Sequence, residues 1–299
     1  MKPSPDPEKK SLLLALSASP LADTLSPERS AQLLGELVQR VHHSVLAHRD
    51  QLTVRREQGR WSRSAAGVSK RRLRADDSVE IDLLRLAPGT PLPGLGRASA
   101  QEWLLLEGCL CSPEPTRPDG DWPPLSYRVV GLGTQTNPNN STQANTAAAA
   151  TWACSACLLY RRRLRRPQWL AAEEGPWWRQ AMQQTAWAAP SASAWAPGRQ
   201  GVSVLPLSCH AGVASVLVRL AGGAWAADQA PPLSADFMVL QGELGLGDLL
   251  LRAGDCQFVP AGATPISVSS EGGALFYFHG AADHLGLGPL AHQARVPGL

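Results

Sequence analysis

No stretch of this chain is apolar enough over enough length to lie in a membrane. No run approaches the ~20 residues that a spanning helix needs, although 44% of the 299 residues are hydrophobic. Charge is scarce as well: Asp, Glu, Lys and Arg make up 18% and leave a net charge of +3. With an isoelectric point near 8.6, that balance is too mild to imply nucleic-acid or membrane partners by itself. There is no His-Glu-x-x-His helix, no phosphate-cradling glycine loop and no nucleophile–base pair in register. The short pair Gly131-x-Gly133 ends a strand with no helix behind it, which excludes a dinucleotide site. The first residues make a poor secretory leader. Their apolar stretch, residues 11–16, is short, and Asp6 and Glu8 stand where positive charge belongs, so a cytoplasmic protein is expected. Mean hydropathy is -0.14, which describes a soluble globular chain and not a disordered one.

What is present is a repeat. Residues 61–108 read again, ungapped, as residues 195–242 at a constant offset of 134. Trp61, Gly67, Arg85, Leu86, Gly89 and Gly108 are answered by Trp195, Gly201, Arg219, Leu220, Gly223 and Gly242. The period is far longer than a solenoid unit, so each copy is expected to be a domain with its own core.

Around the repeat the chain divides further. Residues 1–50 comprise a proline- and charge-rich start and an amphipathic helix. Ser26 caps it, Pro27 occupies the first helical position, Glu28 faces the positive end of the dipole, and Leu34, Leu37, Val38, Val41 and Val45 follow at helical spacing. Residues 51–166 and 191–283 read as two domains of short strands punctuated by turns. Residues 167–190, with Trp169, Trp177, Trp178 and Trp187, read as a helical connector whose indoles pack between the domains. Residues 284–299 form a tail. The basic runs 70–74 and 161–166 read as a solvated strand face and a charged domain edge, with no nucleic acid as partner.

The six cysteines fall as Cys109-x-Cys111, Cys154-x-x-Cys157, Cys209 and Cys256. A chain this long can hold a core without disulfides, and thiols are expected in a reducing compartment. Cys109, Cys111, Cys154 and Cys157 form a candidate tetrahedral set for zinc. The plainer alternative makes them small buried hydrophobes. His42, His43 and His48 read as surface side chains on the helix, and neither His210, in a turn, nor His279 has an evident partner.

The glycine frame resembles the cupin superfamily in a two-barrel, or bicupin, arrangement. Residues 86–94 run into Glu102-Trp103-Leu104-Leu105-Leu106-Glu107-Gly108. The second copy offers residues 237–244, then Leu249–Asp255 and Pro260-Ala261-Gly262. More narrowly the chain is similar to the bacterial-type cupins related to the ChrR anti-sigma factor. The resemblance implies an all-β fold: two tandem cupin jelly-roll barrels with an N-terminal helix and a helical connector. It also marks where the family's metal ligands belong. The first barrel offers Leu95, Arg97 and Gln101, with Thr136 nearest the third histidine; the second offers Gln229, Pro231, Ala235 and Pro265. Leucine, proline and alanine cannot ligate through their side chains, and Arg97 brings a permanent charge that repels a cation. Glu102 and Asp236 stand one position later and are expected to face outward by strand alternation.

The expectation is therefore a non-catalytic bicupin, metal-free and without cofactor, that binds a small molecule or a protein partner such as a transcription regulator. Its barrels pack on each other or form a homodimer. Arg97, Gln101, Thr136 and Gln229 are the candidate pocket groups, and Arg97 favours an anionic ligand. The alternative is a metal-dependent cupin enzyme, a dioxygenase or isomerase type with relocated ligands. A further one is an anti-sigma-like regulator acting through the N-terminal helix.

Overall fold

The structure, a computed structural model, describes residues 26–48, 51–93, 100–111, 121–130, 151–165, 187–191, 194–198, 201–229 and 231–283. Arg97, Thr136, Trp169, Trp177, Trp178 and the C-terminal tail lie outside them. The chain forms two compact units, residues 1–49 and 50–299.

In the first unit, helix α1 (Pro27–His48) starts as its sequence dictates. The Arg29 amide donates to Ser26 Oγ at 3.3 Å, which satisfies one of the amides that a helix start leaves unpaired, and Ser30 N donates to Ser26 O at 2.9 Å as the first bond of the helix itself. Of the apolar stripe expected to be buried, Leu34 and Leu37 are half-buried, and Val38, Val41 and Val45 are exposed. His42 is exposed as well. Among the described residues no helix is long and apolar enough to cross a membrane.

The second unit is all-β. Its first half contains β1 (Leu52–Val54), β2 (Ser62–Ala65), β3 (Val68–Ala75), β4 (Val79–Leu86) and β5 (Gln101–Glu107). There follow β6 (Leu110–Cys111), β7 (Asp121–Trp122), β8 (Tyr127–Val130), β9 (Trp152–Ala153) and β10 (Cys157–Leu164). The second half contains β11 (Ala196–Pro197), β12 (Val202–His210), β13 (Val213–Leu220), β14 (Ala224–Gln229) and β15 (Ala235–Leu246). It closes with β16 (Leu249–Arg252), β17 (Cys256–Val259), β18 (Ile266–Ser270) and β19 (Ala274–Ala281). All pairings are antiparallel. One sheet runs β2-β3-β4-β10-β5-β8, and its counterpart runs β1-β17-β15-β19-β13-β12-β11. β1, drawn from the stretch read as the first barrel, thus joins the sheet of the second, with Leu52 opposite Phe258.

The sequence repeat is a structural repeat. β3, β4 and β5 begin 134 residues before β12, β13 and β15, and β10 corresponds to β19 at an offset of 117. Even the irregularity recurs. The β5–β10 ladder skips Leu106 and the β15–β19 ladder skips its equivalent, Leu240. Both bulges lead into glycines with left-handed backbone, Gly108 (φ 87°) and Gly242 (φ 74°). A Cβ at Gly108 would press into the Ala156 carbonyl, and one at Gly242 into the Gly273 carbonyl. The frame keeps glycine there because no side chain fits and the backbone favours none.

Three cores result. Val68, Leu84, Leu86, Trp103, Leu105 and Leu159 fill the first barrel, and Val204, Val216, Phe237, Phe276 and Phe278 the second. Trp187 packs into the first barrel's core beside Trp122 (6.4 Å between rings) instead of between the barrels. The third core is the seam where the two outer faces meet. There Ile81, Leu83, Leu104 and Tyr160 oppose Leu205, Leu217, Met238 and Tyr277.

Candidate functional site

The inward faces of the two barrels are built from equivalent positions with opposite chemistry. In the first, β3 turns Lys70 and Arg72 inward, β4 Glu80 and Asp82, and β10 Arg161 and Arg163. Arg72 reaches Glu80 at 2.8 Å and Asp82 at 2.7 Å. Arg161 reaches Asp82 at 2.5 Å and Glu80 at 3.5 Å, and Arg163 reaches Glu80 at 2.7 Å. The equivalents in the second barrel are Val204, Pro206, Ala214, Val216, Phe278 and Gly280. There Phe237 packs on Phe276 and Phe278, with ring centroids 6.1 and 5.1 Å apart.

The basic runs are accordingly solvated only in part. Arg72 and Arg165 are exposed, whereas Arg71 on β3 is buried, and so are Arg161 and Arg162, because residues 161–164 belong to the central strand β10 between β4 and β5. Burial opposes ionisation of Glu80. Its contact with Asp82, the hydrogen bond and charge of Arg163 and the charge of Arg72 outweigh that and hold the carboxyl at about 2.

The inward faces of the described strands do not fit the metal that the family resemblance implies. Gln101, at the carboxylate-ligand position of the first barrel, is buried opposite Arg163. Its counterpart Ala235 offers no donor and lies in the Phe-rich core. Fixed guanidinium groups repel a cation, and phenyl rings cannot ligate one. Gln229 ends β14, where Ile266 is its partner.

Glu102 and Asp236 face outward from their barrels, as alternation requires, but the outward face is the seam. Glu102 is fully buried and Asp236 nearly so. Glu102 Oε1 accepts hydrogen bonds from Tyr277 OH (2.6 Å) and Tyr127 OH (2.9 Å). Its other oxygen lies 3.8 Å from His279 Nδ1. His279 therefore has partners, since the same nitrogen lies 2.8 Å from Ser215 Oγ. The equivalent acid Asp236 reaches back to Arg74 (3.0 Å) and Arg162 (3.6 Å). Tyr160 and Tyr277, equivalent residues, meet with ring centroids 5.0 Å apart, so the seam is a pseudo-dyad. His210 closes β12 and is not in a turn.

At one end of this seam lies a cleft of about 450 Å³. Leu106 and Leu240, the two bulge residues, line it with Leu158, Leu275, Leu83 and Met238. Its polar wall is Arg56, Arg71, Arg85 and Glu107, with Trp61. The Arg85 guanidinium sits 4.1 Å from the Trp61 ring centroid and that of Arg71 5.4 Å. Burial lowers the Arg71 pKa, and the charges of Arg85 and Arg56 add to the effect. The repeat reproduces the stacked pair, Arg219 over Trp195 at 4.4 Å, yet Leu205 stands in the second copy where Arg71 stands in the first.

The cysteines are not all thiols. Cys111 and Cys154 form a disulfide with Cα atoms 5.8 Å apart. Cys109 stays free beside them, while Cys157 is buried in the first barrel's core. The four-cysteine set expected from spacing is therefore divided. Cys157 Sγ donates to the carbonyls of Cys109 (3.1 Å) and Ser155 (3.3 Å), and Asp121 takes its place beside the other three.

No family model and no curated protein matches the chain. Solved structures do. A candidate dioxygenase from Nostoc punctiforme superposes with a TM-score of 0.56 at 11% identity, over 78% of this chain and 84% of its own. A candidate glyoxylate-induced protein from Pseudomonas aeruginosa gives 0.51 at 10% identity, over 77% and 88%. A cupin 2 conserved barrel domain protein from Leptotrichia buccalis gives 0.45 at 11% identity, over 74% and 91%. What the first two share with this chain is the fold.

Proposed function

We propose that this protein is a non-catalytic, cytoplasmic bicupin that binds an amphipathic anion in the cleft between its barrels and has a regulatory output. One observation carries the reading: three guanidinium groups, two of them on an indole, stand with Glu107 over a leucine and methionine floor in a cleft at the seam, while ion pairs and phenyl rings line the inward faces of the described strands. The volume falls within the range of small-molecule sites. Clustered guanidinium groups favour a carboxylate or phosphate counter-charge. The leucine and methionine floor favours an alkyl or aryl body. Anion preference, expected from Arg97, is thus supported by Arg71 and Arg85 at a different place. The relocated-ligand enzyme has less in its favour. Among the described residues the one group of three or more possible metal ligands is Cys109, Asp121 and Cys154, on the β6–β7–β9 sheet and not in an inward barrel face.

A protein partner fits the exposed stripe of α1, and loss of a captured transcription-related protein on deleting residues 1–49 tests that part. The ligand is tested by thermal denaturation with decanoate, decyl phosphate and uncharged decanol. The anions are expected to raise Tm in a concentration-dependent manner, decanol to leave it unchanged, and Arg85→Gln to abolish the rise. An unchanged Tm with both anions, or an equal rise with decanol, contradicts the reading.

A further inference from the structure

We infer that the reduced protein binds one zinc ion through Cys109, Cys111, Cys154 and Asp121. The short sheet β7-β6-β9 brings these residues together from three separate stretches: Cys111 lies opposite Asp121 on one side and Trp152 on the other. Cys154 directly follows β9. The ligand atoms of Cys109, Asp121 and Cys154 lie within 4.8 Å of one another. Asp121 Oδ1 is 3.1 Å from Cys111 Sγ and 3.7 Å from Cys154 Sγ. Around a tetrahedral zinc, with sulfur at about 2.3 Å and oxygen at about 2.0 Å, neighbouring ligand atoms stand roughly 3.5–3.8 Å apart.

The backbone holds this geometry. Cys154 N donates to Cys109 O at 2.9 Å, and Cys109 N donates to Ser155 Oγ at 2.9 Å. Cys157 is no ligand, since its thiol points into the core and donates to two carbonyls.

The disulfide is the oxidised form of the same cluster. A dithiol such as dithiothreitol passes two electrons and two protons to Cys111–Cys154, giving two thiols, and itself closes to a cyclic disulfide. Zinc then displaces the three thiol protons. The site shares no lining residue with the cleft and stands or falls independently of it.

The test is titration of reduced, desalted, untagged protein with cobalt(II) and then zinc under argon. The expected result is an intense tetrahedral cobalt–thiolate spectrum saturating at about one equivalent and bleached by zinc. Cys109→Ser and Asp121→Asn are each expected to weaken binding at least about tenfold, and Cys157→Ala to retain it. Thermal melts of each variant confirm that it is folded, and Cys109→Ser and Asp121→Asn report independently should one fail to fold. No tetrahedral spectrum from the folded, reduced protein overturns the inference. Undiminished affinity in either ligand variant, or loss in folded Cys157→Ala, overturns it as well.

Discussion

Glu102 of the first barrel accepts the Tyr277 hydroxyl of the second at 2.6 Å, in a seam where neither side chain meets solvent. The same carboxylate holds Tyr127 and faces His279, so one acid organises polar groups from both barrels. Removing it takes an acceptor from two buried hydroxyls, those of Tyr127 and Tyr277, the second of which also reaches Ser215 Oγ at 3.3 Å, and a buried donor left unpaired costs more than its bond contributes. Glu102→Ala is expected to lose about 2–4 kcal/mol in urea unfolding, and Glu102→Gln, which keeps an acceptor, clearly less. A loss below about 0.5 kcal/mol for the alanine variant contradicts this role for the acid.

Glu80 links stability to pH. Its carboxyl is held at about 2 in the folded protein, against an ordinary value of 4.5. A depressed folded-state value stabilises above the unfolded value, and that contribution disappears as pH falls through the folded one. The Tm of Glu80→Gln should therefore lie below that of the parent at neutral pH, with the gap closing between pH 4.5 and about 2. A gap constant across that window, in melts recorded against pH, contradicts the ion network of the first barrel.

Two glycines separate backbone strain from crowding. Gly89 (φ 75°) has open space within 4 Å of where a Cβ would stand, whereas at Gly108 (φ 87°) the Ala156 carbonyl and Cys157 are in the way. Gly89→Ala is expected to cost about 1 kcal/mol, the conformational penalty alone. Gly108→Ala is expected to cost at least about 3 kcal/mol, because carbonyl and backbone must shift. Equal costs in chemical denaturation would mean that the bulge is freer than its contacts indicate.

Much of this architecture is legible in the sequence, for reasons that particular residues make plain. Glycines at the two bulges and the constant offset mark the barrels, because only glycine serves those positions. Alternation correctly turns Glu102 and Asp236 outward. It does not reveal that the outward face is covered, since burial there depends on the partner barrel. The basic run 161–166 misleads because a charge run is ordinarily solvated. Its signal lies in register: Lys70-x-Arg72, Glu80-x-Asp82 and Arg161-x-Arg163 each place two charges on one strand face, with opposite signs on neighbouring strands. The cysteine spacings show a candidate cluster. Asp121 enters it only through strand pairing, and the cleft has no signal at all because its walls come from both barrels.

Neither barrel interior is expected to hold a metal ion, and metal analysis tests this most directly. The protein to measure is untagged and carries Cys109→Ser and Cys154→Ser, so that the cysteine cluster contributes nothing. The account predicts iron, manganese, nickel and zinc each below about 0.1 equivalent. About one equivalent of iron or manganese in that variant would contradict it.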